Sequence, residues 1–75
     1  MTIKDIKENL VCRHKLTGEV IEFFDVKKKK NLCKVRYLFT RVNKKPYQAL
    51  ISGFAYFFKF DLWQKIDKSE IEIYE

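Results

Sequence analysis

Cysteine, glycine, proline and histidine are all scarce in this 75-residue chain, which has two Cys, two Gly, one Pro and one His. Two Cys are too few for the disulfide framework of a small secreted protein, so we predict two free thiols and a cytoplasmic location. Few Gly and Pro favour long regular elements over tight turns. The sequence has no Gly-rich phosphate loop and no cluster of metal-binding carboxylates. We therefore predict a protein that is not an enzyme and that holds no cofactor and no metal.

Cys12, His14 and Cys33 leave two alternatives open. In a strand, Cys12 and His14 share a face, so the three residues could form part of a zinc site, although structural zinc takes four ligands. A Cys12–Cys33 disulfide requires that the two residues lie on neighbouring strands. Buried free thiols are the interpretation that we adopt.

The apolar content predicts a packed core but no membrane span. Hydrophobic residues make up 47% of the chain, which is more than a disordered chain of this size contains. The longest apolar stretch, residues 49–58, is too short to cross a bilayer, and residues 1–5 lack the apolar run of a signal peptide. We expect one domain over residues 1–75 that does not bind membranes.

Positive charge is the strongest compositional signal. The formal net charge is +6, and only three of the 16 basic residues are Arg. A basic domain favours anionic partners, either nucleic acid or an acidic protein surface. The alternative explanation is codon bias, because an AT-rich genome also produces a protein rich in Lys, Ile, Phe, Asn and Tyr.

Alternation of apolar and polar residues predicts a mainly β fold. The clearest case is residues 33–40, in which Cys33, Val35, Tyr37 and Phe39 alternate with more polar positions. The other predicted elements are a short helix over 3–9, strands over 10–14, 20–26, 49–60 and 70–74, a hairpin loop over 27–31 and a helical turn over 61–66. Adjacent Phe23 and Phe24 predict a bulge in the second strand, or a strand that a curved sheet buries on both sides. A helix over 47–58 is the alternative for the fourth strand.

These elements predict a small antiparallel barrel, or a curved five-stranded sheet, with a short N-terminal helix. The predicted core residues are Val11, Val20, Val35, Tyr37, Phe39, Phe54, Phe58, Ile71 and Ile73.

Two segments resemble the SH3-like small β-barrels, a group that includes the KOW and Tudor modules. Residues 10–20, LVCRHKLTGEV, resemble the opening hairpin of that group, with a Thr-Gly-Glu turn. Asp61-Leu62-Trp63, before the apolar residues near the end of the chain, resembles the turn that precedes its last strand. The shared layout is a short strand, a turn, three longer strands, a helical turn and a final strand. The resemblance implies a binding module but identifies no ligand.

Basic residues cluster in and beside two predicted loops, which should lie at opposite ends of one hairpin. The residues are Lys27, Lys28, Lys29, Lys30, Lys34, Arg36, Lys44 and Lys45. Joined along the charged face of the strand between them, they would form a stripe that attracts phosphates. Tyr47, beside Lys45 and Pro46, is the candidate for base stacking.

The aromatic run near the end of the chain exceeds what one side of a small core requires. Most of these rings should be buried, and Phe57 is the residue that we expect to be exposed. Exposed aromatic residues are typical of a protein-binding surface or of a homodimer contact. Two functions follow. The first is nucleic-acid binding through the lysine-rich loops. The second is protein binding, by an accessory or inhibitor protein of a phage or mobile element that acts on a host complex.

Overall fold

The computed structural model describes residues 1–39, 44–67 and 69. Five antiparallel strands form one sheet in the order β4-β3-β2-β1-β5. The strands are β1 Val11–His14, β2 Val20–Lys27, β3 Leu32–Phe39, β4 Tyr47–Leu50 and β5 Trp63–Lys65. One α-helix, α1 Phe54–Phe58, and three 3-10 turns, Ile3–Asp5, Lys28–Lys30 and Ile51–Gly53, complete the described elements.

The mainly β fold is confirmed, in the form of a curved sheet that does not close into a barrel within the described residues. β4 and β5 are its two edges. The register between β2 and β3 shifts twice, between Val20 and Ile21 and between Phe24 and Lys27. Such shifts increase the twist of a strand and curve the sheet. The predicted bulge beside Phe24 is therefore present.

The bulge in β2 is stabilised by a carboxylate from the N-terminal segment. Asp25 adopts a left-handed backbone conformation with φ 49°. The Glu8 carboxylate accepts hydrogen bonds from the backbone N–H groups of Asp25 and Val26 at 2.9 and 3.0 Å. Backbone groups that the bulge removes from the strand ladder are thus satisfied by a side chain near the N-terminus.

The core lies on one face of the sheet, which we call the inner face. Alternate residues of the central strands point into it, and the segment that contains α1 covers them. The buried cluster consists of Ile6, Leu10, Cys12, Ile21, Phe23, Cys33, Val35, Ile51, Phe54, Phe58 and Trp63. Val11 and Val20 are also buried, and Tyr37 is half-buried against the cluster. The predicted core is confirmed at Val11, Val20, Val35, Phe54 and Phe58. Ile71, Ile73 and the side chain of Phe39 lie outside the described part.

The predicted strand over 49–60 is wrong beyond Leu50. The chain instead forms a 3-10 turn at Ile51–Gly53 and then α1, so the helical alternative describes this segment better. Ile51, Phe54 and Phe58 are buried at helical spacing. Aromatic residues occupy so many positions here that a period of two fits the sequence as well as a helical period.

The predicted helical turn over 61–66 is also wrong. Trp63–Lys65 is strand β5, which pairs with β1 through the partners His14 and Trp63. Asp61 has φ 54°, so it follows the helix in a left-handed conformation and does not cap a new one. The predicted strand over 70–74 lies outside the described residues.

The segment before β1 and the turn between β1 and β2 both agree with the prediction from the sequence. The N-terminal helix is confirmed but shorter than predicted, since only Ile3–Asp5 is helical. Its first turn is held by the Thr2 backbone N–H, which donates to the Asp5 carboxylate at 2.9 Å. Between β1 and β2, Gly18 has φ 78°, a conformation that favours glycine.

Candidate functional site

The lysine turn, which we define as Lys28–Lys30, connects β2 to β3 as one exposed 3-10 turn. The following residue, Asn31, ends the turn with φ 56°. Among the described residues, no ion pair includes any of the three lysines. Three like charges therefore face solvent together without a described acidic neighbour.

The lysine turn is anchored to the segment that begins the aromatic run. The Asn31 side chain donates a hydrogen bond to Ser52 Oγ at 2.8 Å and accepts one from the Ser52 backbone N–H at 2.9 Å. The Asn31 carbonyl accepts from the Ile51 backbone N–H, also at 2.9 Å. These bonds fix where the turn lies on the surface.

Lys27 and Lys34 are, in contrast, close to an acid. Asp25 at the bulge lies 3.2 Å from Lys34 Nζ and 3.9 Å from Lys27 Nζ. Lys34 alternates with the buried residues Cys33 and Val35, which places it on the outer face of the sheet. The charge of these two lysines is thus partly compensated within the protein.

Arg36 is held between an acid and a ring. Its Nε lies 3.1 Å from Glu22 Oε1, and its guanidinium carbon lies 4.0 Å from the centre of the Phe24 ring. Glu22 and Arg36 are cross-strand partners, and Glu22 is only 3% exposed. Because a buried carboxylate requires a compensating charge, Arg36 has a structural task on the outer face.

Lys44 belongs to a different region from Lys34 and Arg36. Its Nζ lies 3.2 Å from Glu19 Oε2 and 4.7 Å from the centre of the Tyr37 ring. The hydrogen bond that Lys44 donates to Glu19 raises the pKa of Lys44. Lys45 is exposed at the entrance to β4. The structure therefore divides the basic residues into the lysine turn, an acid-compensated outer face and a group beside Tyr37.

An aromatic groove opens beside Lys44 and has a volume of about 440 Å³. Ten residues line it: His14, Thr17, Glu19, Tyr37, Lys44, Tyr56, Phe57, Phe60, Leu62 and Trp63. Three of its rings are among the most exposed apolar side chains of the described chain. The exposed fraction is 71% for Tyr56, 51% for Phe57 and 58% for Phe60. Phe57 is thus exposed, as predicted.

The candidates Tyr47 and Phe57 both line a second, smaller pocket that shares residues with the aromatic groove. Tyr37, Tyr47, Phe57 and Trp63 help to line a small pocket of about 20 Å³. The Tyr37 and Tyr47 ring centres lie 6.3 Å apart. Partial burial is the main cause that raises the pKa of Tyr47 to about 12, so its hydroxyl remains protonated at neutral pH. Three predicted site residues, Lys44, Tyr47 and Phe57, are therefore brought together around Tyr37.

His14 fixes one wall of the aromatic groove. Its Nδ1 accepts hydrogen bonds from the backbone N–H groups of Leu16 and Thr17, each at 3.2 Å. Its ring stands edge to face against Trp63, with ring centres 4.9 Å apart. Because Nδ1 is the acceptor, the neutral ring carries its proton on Nε2. This wall therefore ends in a polar group that is held by two hydrogen bonds and one ring contact.

Sequence reasoning did not predict as site residues eight of the ten residues that line the groove: His14, Thr17, Glu19, Tyr37, Tyr56, Phe60, Leu62 and Trp63. Helical spacing could have found three of the rings. With Phe54 and Phe58 on the buried side of one short helix, Tyr56, Phe57 and the following Phe60 are left outside.

The two thiols are free and buried. Cys12 is on β1 and Cys33 is on β3, with β2 between them, so they are not on neighbouring strands. Burial raises the pKa of Cys12 to about 12 and also raises the pKa of Cys33. No group of three metal-binding side chains is assembled within the described ranges. Likewise, none of the helices described is both long and apolar enough to traverse a bilayer.

The chain matches no protein-family model, and neither the search of curated proteins nor that of solved structures gave a match.

Proposed function

We propose that the protein is a nucleic-acid-binding module whose lysine turn contacts the phosphate backbone. The observation that carries this proposal is the exposed, uncompensated and anchored triplet Lys28–Lys30. A phosphate that approaches the turn displaces no ion pair among the described residues. Lysine attracts phosphates as a point charge and does not read bases in the bidentate manner of arginine. Binding should therefore be led by charge and shape and not by sequence.

The other basic candidates support this surface unequally. Lys45 is exposed, whereas Lys27, Lys34, Arg36 and Lys44 already have acidic partners. We expect the paired residues to add long-range attraction but few direct contacts, because a phosphate must compete with a nearby carboxylate.

We also propose that the module is related to the SH3-like small barrels. The observed order supports this: a short strand, a turn, three strands, a helical segment between β4 and β5, and a last strand that pairs with β1. We propose binding without catalysis, in a reducing cytoplasm. The raised pKa of each thiol supports the absence of catalysis by these residues, since a nucleophilic cysteine requires a lowered pKa.

Charge reversal of the lysine turn tests the proposal. The double variant Lys28→Glu/Lys29→Glu should abolish binding to a labelled oligonucleotide, as measured by fluorescence anisotropy at low salt. The matched control is Lys4→Glu/Lys7→Glu, which changes the net charge equally at two exposed lysines elsewhere. Equal losses in the two variants would show that only net charge matters. Unchanged binding in the first variant would overturn the site.

The aromatic groove favours a second candidate, protein binding. Its exposed rings resemble the apolar centre of a protein interface. A partner with an acidic surface, a second copy of the chain, or a host complex that a phage or mobile-element protein inhibits would each fit this candidate. If the protein binds a partner protein, capture of that partner would survive nuclease treatment and high salt. Phe57→Ala or Tyr47→Ala would weaken the affinity for the partner. A dimer would appear as concentration dependence in sedimentation.

A further inference from the structure

We infer that the nucleic acid is single-stranded and that an unpaired base stacks in the aromatic groove. This inference rests on the proposed function and names the ligand class of the same protein surface. It concerns the aromatic groove, which is not needed for binding by the lysine turn alone.

The exposed rings of the groove select for bases that are not already stacked. Tyr56 and Phe60 meet edge to face, with ring centres 5.9 Å apart and an interplanar angle of 88°. Both rings, and Phe57 beside them, remain more than half exposed. In a duplex the face of each base is covered by its neighbours, whereas a single strand can offer a free face to a ring. The exposed rings can therefore stack on a base of a single strand but not on a base within a duplex.

The size and polarity of the groove suit one base. A volume of about 440 Å³ is within the range of pockets that hold small organic groups. Most of the wall is aromatic, and the polar atoms of His14, Thr17 and Glu19 are placed along it. A base has the same division, with an apolar face and a polar edge.

Charge complementarity argues for a nucleotide over an uncharged apolar occupant. Lys59 Nζ lies 5.7 Å from the centre of the Phe60 ring, whereas Lys44 Nζ, 4.7 Å from the centre of the Tyr37 ring, is already paired with Glu19. Lys59 has no ion pair within the described residues. Cations beside stacking rings are the combination that holds a base and its phosphate together.

One strand can reach both regions. Leu32, the first residue of β3, comes two positions after the lysine turn, and Tyr37 at the groove lies five positions further along the strand, or about 17 Å at the usual rise. Proteins that bind single strands commonly contact about 4–16 nucleotides, which is long enough to cover this distance.

Trp63 provides a direct measurement of groove occupancy. It is the only tryptophan of the chain and it lines the groove. Titration with oligothymidylate of about 12 nucleotides should quench its fluorescence, and a duplex of equal length should quench it less and bind less tightly. Phe57→Ala should weaken single-strand binding at least about 5-fold, the lower end of what one stacking ring contributes. The matched control is Leu50→Ala, which removes a side chain of similar exposure, 55%, outside the groove.

Each outcome separates the inference from the proposed function. Preference for the single strand, with loss in Phe57→Ala and none in Leu50→Ala, supports the inference. Equal binding of both nucleic acids that depends on Lys28 and Lys29 but not on Phe57 overturns the inference and leaves the proposed function intact. No binding of either nucleic acid overturns both.

Discussion

The lysine turn and the aromatic groove differ in how their charges are balanced. At the lysine turn, three cations share one turn and form no ion pair with a described acid. At the groove, Lys44 is matched by Glu19, and the exposed surface is mainly aromatic. One region therefore offers unbalanced charge on a polar surface, and the other offers balanced charge on an apolar surface.

This difference separates two contributions that are usually mixed in a basic protein. Attraction at the lysine turn weakens as salt screens it, whereas contact with the aromatic rings does not. A variant in one region should therefore change a different property from a variant in the other. A variant that changes both properties would break that independence, and the largest such effect is expected in the core.

The core beneath both regions is the place where they are most strongly linked. Phe23 is fully buried, and its ring centre lies 5.1 Å from that of Phe54 and 6.4 Å from that of Phe58. We expect Phe23→Ala to lower the free energy of unfolding by about 3–5 kcal/mol, which is a large part of the stability of a small domain. Chemical denaturation followed by circular dichroism measures this change. Phe57→Ala changes a half-exposed residue of α1, the helix that also contains Phe54 and Phe58. It should lower the free energy of unfolding by less than about 1 kcal/mol. Similar losses in the two variants would mean that the groove is part of the core and not a surface.

The contrast between the two phenylalanines also shows what the sequence could predict. β3 follows directly from alternation, whereas β1 and β2 follow from their apolar, β-branched and aromatic residues and from the turn at Gly18 between them. The segment 49–60 does not, since buried and exposed positions are both aromatic there. Its helix is determined by contacts distant in sequence: the Asn31–Ser52 bonds end β4, and Phe54 then packs on Phe23.

The candidate site could likewise be predicted from the sequence only in part. The lysine turn could be predicted, because a run of like charges between two strands has to be a solvated loop. The compensation of Lys34 by Asp25 and of Lys44 by Glu19 could not, because it depends on strand register and on a bulge. The groove joins β1, β3 and the segment after α1, and no local pattern reports that these meet.

The anchor of the lysine turn tests whether that region is independent of the groove. Asn31→Ala removes two hydrogen bonds to Ser52 and places at φ 56° a residue that adopts the left-handed conformation less readily than Asn, so we expect a loss of about 2 kcal/mol in stability. Asn31→Gly loses the same bonds without the conformational cost and should lose about 1 kcal/mol. Thermal unfolding measures both values. Trp63 fluorescence of the folded protein should be the same in both variants, and a shift would show that the turn and the groove are coupled.

The titration of the Cys12 thiol tests whether the core beneath the lysine turn and the aromatic groove excludes water. Burial raises its pKa from an ordinary value of 9.0 to about 12. Between these values the unfolded chain has lost the thiol proton and the folded protein retains it, so stability falls as pH rises above 9.0. At pH 10 we expect a loss of about 1 kcal/mol relative to pH 8. Cys12→Ala should lose less stability between pH 8 and pH 10. Because the lysines titrate in both proteins, their contribution cancels in the comparison. The same pH dependence in both proteins would contradict a buried, protonated thiol.

The smallest expected effect is a gain, obtained by removing the acid that compensates the outer face. Asp25→Asn frees Lys27 and Lys34 from their shared partner, and asparagine tolerates the left-handed backbone conformation at this bulge. Single-strand affinity at low salt should rise about 2- to 5-fold, since each exposed ion pair contributes less than about 1 kcal/mol. The control is Asp67→Asn, which changes the net charge equally at an exposed acid elsewhere. A larger gain in the Asp25 variant would show that compensation by acids, and not the number of lysines, sets the boundary of the binding surface. An equal gain in both would reduce the lysine turn to one contributor to a diffuse positive field.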